Sequence, residues 1–506
     1  GVTLGSGEVK ITAAGGSVAT IAGKVSGPSG NAVQFYTDNS TSFLVISNTA
    51  NSWLGNTSIQ GLGTVRLGAS GVLPDAGGTV DVLSSGVSLD LNGFNETIGG
   101  LSAFGRVNNA AASTSVSLGV GGNNLDSTFS GTITNTGAGA SLQVVKVGTG
   151  TLTYSGSGFG YAGGTVISNG AIQITAVGNG RLGPLSTSPV TLSGGRLQAL
   201  FSGNTTVNNT ISVAAAGGEL RNLGNDSQRW TMGNDTISGS GTLTLTYGTQ
   251  NTRFGLASSQ SGFTGKWVLD SNSNANRLVD VADGGGFGNA TGDDAITMIN
   301  NGSMLLRDGV TLGSGTQGLT LGSGGGYLRV GGSSVVTMAG KLSGASGNDV
   351  QFYSDNSGSI LILANTANSW LGDSLINGFG TLRLGASGVF PDAGGTVSVS
   401  GSTTLDMNGF NETIGALAVN STSERRNTPD PAGGQPGCRD HRDPDRGWQW
   451  FECDLYWVAN RYGSGGDPWL YQDRHRHPDP VLGQQPQWSD YRAKRIVAGQ
   501  PRIRFR

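Results

Sequence analysis

Cysteine and histidine are missing from positions 1–423 of this 506-residue chain; both cysteines and all three histidines lie beyond that point. Thiolate–imidazole catalysis and the usual zinc ligands are thereby excluded from most of the sequence. Charge is also scarce, at 12% of residues with a formal net of −3. Such a chain offers no basic surface to a nucleic acid, and it carries too little charge to stay expanded by self-repulsion. Only five prolines precede position 424, and no apolar run approaches the roughly 20 residues of a membrane helix. Glycine is plentiful, with 89 residues, but it has no Gly-X-Y period, which excludes collagen. The chain opens inside a pattern (GVTLGSG), without Met or a signal peptide, and we read it as a piece of a longer protein.

What is present is repetition. VQFYTDNSTSFLVISNTANSWLGN, starting at Val33, returns as VQFYSDNSGSILILANTANSWLGD at Val350, an offset of 317. Phe35, Tyr36 and Trp53 thus map onto Phe352, Tyr353 and Trp370, and Pro74-Asp75 onto Pro391-Asp392. LDLNGFNETIG from Leu89 returns as LDMNGFNETIG from Leu405. The duplicated segments, about 1–105 and 309–420, flank a middle of different sequence.

Throughout residues 1–423, short alternating runs such as TLTLT and AIQIT are punctuated by Gly or Asn-Gly. Period-two alternation of β-branched residues predicts strands, and the punctuation predicts tight turns. No segment has helical periodicity. The units recur at roughly 20 residues, the scale of one solenoid coil. Small inward residues suit a narrow stacked core, and Gly and Asn accept the left-handed backbone of sharp corners. Few prolines leave the ladder its N–H donors. The expected fold is all-β: a right-handed, single-stranded parallel β-helix.

KVGTGTLTYSG and YAGGTVISNGAIQI, within residues 146–174, resemble the autotransporter-associated β-strand repeat. Gly148, Thr149, Gly150, Leu152, Ser155, Gly156, Tyr161, Gly163, Gly164, Thr165, Asn169, Gly170 and Ile172 match its pattern. RLGASGVLPDAGG followed by LDLNGFNETIGGLS resembles the segment that often follows such repeats. The resemblance implies a right-handed β-helical passenger of a type V secreted protein. It implies a bacterial cell-surface, outer-membrane or extracellular location, with export through a C-terminal outer-membrane β-barrel that is not in this sequence. Freedom from cysteine suits a chain that threads a narrow pore unfolded.

Residues 424–506 break the pattern. They hold five of nine tryptophans and nine of fourteen prolines, and Cys438, Cys453, His441, His475 and His477 tempt a metal reading. Their spacing fits no metal cage, and basic residues interleaved with Trp and Tyr would be the mark of a single-stranded nucleic acid site. A shifted reading frame explains more. Tryptophan is TGG, so reading from the second base turns every Trp into glycine. Asp443–Trp457 then decodes as TLTVGGNGSSATFTG, close to VSLGVGGNNLDSTFSG at Val116–Gly131. We read 424–506 as an out-of-frame, disordered tail with no site, the switch lying near residues 421–427.

Within 1–423, Asp75/Asp392 and Asp90/Asp406 recur in both copies and are weighed as a carboxylate pair for glycoside chemistry. Turn positions favour a plainer role, in which Asp caps backbone N–H groups. Arg66 and Arg383 are expected on the outward side of strands. Phe35, Tyr36, Trp53 and their second copies are either an aromatic binding stripe or packing over coil edges. No Walker lysine or calcium-roll repeat is present. No catalytic, cofactor-binding or metal-binding residue is assigned. The expected function is a non-enzymatic, adhesin-like surface scaffold with a host-surface or matrix ligand. The alternatives are a β-helical polysaccharide enzyme and a non-functional relic of a frameshifted gene. A β-helix with open strand edges is also expected to self-associate.

Overall fold

The computed structural model describes residues 1–28, 30–156, 160–175, 189–200, 203–225, 228–313 and 316–420, with three short strands beyond them. It divides into two compact units. One comprises Gly1–Val268 with Gly285–Ala290, the other Leu269–Gly284 with Thr291–Arg506. Each is a parallel β-helix. The helical element among the described residues is a single 3-10 turn, Gly284–Phe287.

In the first unit the chain runs through Val33–Thr37, Phe43–Ile46 and Ser52–Trp53, then reaches Thr57–Gly61. That strand lies in parallel register on the first, Val33 opposite Thr57 and Thr37 opposite Gly61, which closes one circuit of the coil. The circuit is tighter where Thr151 meets Ala171 and wider where Ser115 meets Ser141. Eleven successive coils, from Val9–Ala13 to Leu243–Tyr247, each give one strand to the same ladder. A second ladder runs from Val18–Ile21 to Thr132–Thr134, and a third from Glu96–Ile98 to Ile237–Gly239.

The alternation read from the sequence is the burial pattern. In Val33–Thr37, residues 33, 35 and 37 point in, while Gln34 and Tyr36 point out. In Ser141–Lys146, Leu142, Val144 and Lys146 are buried. Each coil supplies only a few inward aliphatics, worth roughly 1.5–3 kcal/mol apiece. Burial of that side needs the coil above and the coil below.

The second unit repeats this plan. Val350–Ser354 carries Ser374–Gly378, Ile360–Leu363 carries Thr381–Leu384, and Leu342–Gly344 carries Ser369–Trp370, all parallel. Beyond residue 420, Cys438–Asp443 and Trp448–Cys453 pair antiparallel, and Ile503–Arg504 pairs antiparallel with Thr413–Ile414. The rest of the segment read as an out-of-frame tail, including His475 and His477, lies outside the described residues.

Two kinds of corner need a left-handed backbone. Gly61 and its copy Gly378 both have φ +105°, and a Cβ there would stand 1.8 Å from the Thr37 carbonyl oxygen and 2.2 Å from that of Ser354. Asn92-Gly93 and Asn408-Gly409 have φ of 51°, 86°, 48° and 78°. Consecutive positive φ values are what Asn-Gly tolerates best.

Phe35 and Trp53 are fully buried and meet edge to face at 5.9 Å; Phe352 and Trp370 do so at 6.2 Å. Each indole finds a partner on the next strand. Trp53 Nε1 donates to Thr57 Oγ1 at 2.8 Å, and Trp370 Nε1 to Ser374 Oγ at 2.9 Å. These rings are central core, where the sequence reading had them over coil edges or in a binding stripe. The hydroxyl lies only four residues further along the chain in each copy, and it is the corner between the two strands that turns it back to the indole.

Candidate functional site

The carboxylates that recur in both copies are placed by the ladders. Asp90 lies opposite Arg66 on the neighbouring strand, and Asp406 opposite Arg383. Arg66 Nε reaches Asp90 Oδ2 at 3.0 Å, and Arg383 Nε reaches Asp406 Oδ2 at 2.8 Å. Asp90 Oδ1 also accepts from the amides of Asn92 and Ala110, both at 3.0 Å; Asp406 Oδ1 accepts from Asn408 at 2.9 Å. These two aspartates do cap turns, as expected. Arg66 is partly exposed on the outward side and lies 4.4 Å from the Phe43 ring centroid. Asp75 and Asp392 differ. They sit exposed in Pro-Asp-Ala-Gly-Gly turns closed by backbone bonds from Gly77 to Pro74 and from Gly394 to Pro391. Among the described residues they cap no backbone group.

Sequence reasoning passed over a third pair, Glu96 and Glu412, in the same NET triplet of each copy. Both are buried. Glu96 Oε2 accepts from the amides of Val72 at 2.9 Å and Leu73 at 3.4 Å, and Oε1 from Thr97 at 3.1 Å. Glu412 accepts from Val389 at 2.9 Å and Thr413 at 3.2 Å. Each carboxyl thus holds the turn that precedes Pro-Asp-Ala-Gly-Gly. Burial pushes Glu96 up to about 7; its three amide donors oppose that rise, and the charge of Asp75 adds to it. Glu412 is raised for the same reasons, with Asp392 in the place of Asp75. The available signal was a Glu recurring inside a copied Asn-Gly turn motif.

Glycoside hydrolysis needs two carboxyls facing one open space, roughly 5–9.5 Å apart. Here the perturbed carboxyl is closed in by backbone while its acidic neighbour is exposed. A shallow groove of about 260 Å³ is lined by Asn95, Ser115, Val116, Ser117, Ser141, Gln143 and Gly163. Its polar groups are hydroxyls and amides. Cys438, Cys453 and His441 lie on the antiparallel pair beyond residue 420, with the backbones of Cys438 and Cys453 opposite each other.

The outward side of the duplicated Gln-Phe-Tyr strand holds the other concentration of chemistry. In the first unit Gln34 and Tyr36 project together; Lys10 Nζ stands 3.6 Å from the Tyr36 ring centroid, and Gln60 is in register with Tyr36. In the second unit Gln351 and Tyr353 project from Val350–Ser354. Tyr353 is flanked in register by Arg329 and Asn377, and Gln351 by Tyr327 and Leu375. The Arg329 guanidinium is 5.3 Å from the Tyr353 centroid, and its Nε lies 2.6 Å from Asp355 Oδ1. Tyr327 and Tyr353 are 5.7 Å apart, inclined at 33°. Of the expected aromatic stripe, the tyrosines are outward, whereas the phenylalanines and tryptophans are core.

No known family, curated protein or solved structure matches this chain. Its established likeness is at the level of fold, a parallel β-solenoid.

Proposed function

We propose that the chain is a non-enzymatic β-helical passenger of an autotransporter, an adhesin-like scaffold displayed at the bacterial surface by a parent protein with an outer-membrane barrel. The observation that carries this reading is the use of the repeated polar residues. In both copies Asp90/Asp406 and Glu96/Glu412 are engaged by an arginine or by backbone amides, so they serve the coil. The outward positions hold amides, hydroxyls and half-buried tyrosines, which suit binding over a face. The repeat motif of residues 146–174 points to the same class.

The test is protease shaving of intact cells of the source organism, followed with antibodies to the purified chain. Antigen should be present on intact cells and lost on shaving. Antigen found only after lysis would refute surface display, and no antigen in cells that transcribe the gene would favour the relic. The polysaccharide-enzyme reading draws on one observation, the carboxyl of Glu96 raised beside Asp75. It predicts reducing ends released from polysaccharide and lost in Glu96→Gln; the scaffold reading predicts none.

A further inference from the structure

We propose that the outward face around Tyr327 and Tyr353 is a carbohydrate-binding platform that takes a neutral glycan. This deepens the scaffold reading, on which it rests, by naming the ligand class of one face.

The platform spans three consecutive strands, Gly326–Val330, Val350–Ser354 and Ser374–Gly378. Two half-buried phenol rings lie 5.7 Å apart at its centre. The Gln351 amide and the hydroxyls of Tyr327 and Tyr353 make no hydrogen bond among the described residues. Asn377 Oδ1 accepts from the Gly378 amide at 2.7 Å, which leaves its NH2 group free to donate. Burial, with Tyr353 beside it, pushes the Tyr327 phenol up to about 12, so it stays a neutral donor.

A pyranose has a C–H surface and a rim of hydroxyls. Aromatic faces carry negative quadrupole potential and pack against the first. Amides, a guanidinium and a carboxylate satisfy the second. Tyrosine supplies this area at low entropic cost, having only two side-chain torsions to fix. Charge selects the neutral class. Arg329 is already paired to Asp355 at 2.6 Å, so an anionic sugar would have to displace that carboxylate and then lie beside it. Neighbouring strands are spaced by about 4.8 Å, so a linear glycan crossing the coils would meet a fresh polar row at each step. In the first unit, Gln34, Tyr36 and Gln60 repeat part of the pattern, but the strand before Tyr36 offers Thr12 in register and no second ring. That face should bind more weakly.

The experiment is isothermal titration of the full chain with cellohexaose, maltohexaose and laminarihexaose, with polygalacturonate as the acidic comparator. At least one neutral hexasaccharide should bind saturably. Tyr353→Ala and Tyr327→Ala should each weaken it by about tenfold or more, and Tyr36→Ala by less than about twofold, as anchoring aromatics dominate such surfaces. Tyr353→Phe should stay within about threefold because the ring remains. Gln351→Ala, a surface change, should weaken binding several-fold and keeps the test open if an aromatic variant misfolds. The proposal is overturned if no neutral hexasaccharide binds up to ~10 mM. It is equally overturned if polygalacturonate alone binds, or if folded alanine variants bind as the parent does. Shaving of intact cells reads surface display separately, so either idea can fail without the other.

Discussion

Glu96 reaches back one coil to accept a hydrogen bond from the Val72 amide at 2.9 Å, and Glu412 repeats the bond with Val389. A carboxyl buried in this way makes stability depend on pH. Its folded value lies near 7, above the ordinary Glu value, so the folded state binds more protons than the unfolded one across that interval. The contribution is complete below about pH 4.5 and is lost as pH rises to about 7. Glu96→Gln keeps the acceptor and removes the charge. We expect it to match the parent's melting temperature at pH 4 and exceed it at pH 8. Glu96→Ala orphans three amides, those of Val72, Leu73 and Thr97, and should cost about 1–3 kcal/mol at both pH values. A parent melting curve flat between pH 4 and 8 would rule this out.

Asp90 and Asp406 occupy the same motif position but differ in exposure, their side chains being 2% and 25% accessible. Truncating Asp90 empties a buried position, unpairs the partly exposed Arg66 and leaves the amides of Asn92 and Ala110 without their acceptor, for an expected loss of about 2–4 kcal/mol. Asp406→Ala should cost about 1 kcal/mol. Urea unfolding of the two variants measures the difference, and equal losses would count against burial as its cause.

Gly61→Ala and Gly378→Ala place a methyl group inside the carbonyl of the coil below. Each is expected to cost more than about 3 kcal/mol or to prevent folding. Gly71 and Gly388 are also left-handed, with φ of 67° and 69°, but a Cβ there meets nothing within 4 Å. Their alanine variants should lose only about 1 kcal/mol. Circular dichroism melts of the four variants separate contact from conformation.

For residues 424–506 the decisive measurement is nucleotide sequence. Read one base on from a point near residues 421–427, the gene should be free of early stops and should continue the Gly-Thr-Gly repeat. A shifted frame crowded with stops would end the idea.

How far the sequence could be read varied with the physics of each feature. Alternating runs announced strands such as Val33–Thr37 through their two-residue period, whereas the stripe-or-packing reading of Phe35 and Tyr36 was divided only by the structure, with Phe35 inward and Tyr36 outward. Asn92-Gly93 announced its own corner through local backbone preference. Glu96 was opaque: its role depends on Val72 and Leu73 being stacked beneath it, and circuits of unequal length hide which groups meet. The pairing of Arg66 with Asp90 was hidden for the same reason, and so was the second ring beside Tyr353, which comes from the preceding coil, where Tyr327 stands opposite Gln351 as Lys10 stands opposite Gln34 in the first copy.

The duplicated coils also bear on heredity. Val33 meets Thr57 and Val350 meets Ser374 in the same way, so the strand beginning at Val350 can follow whatever precedes Val33. Unequal crossing-over between the two copies would excise the stretch from Val33 up to Val350 and still leave a stackable coil at the joint. Shorter alleles at this locus, differing by that one span, are the trace such recombination would leave in a population.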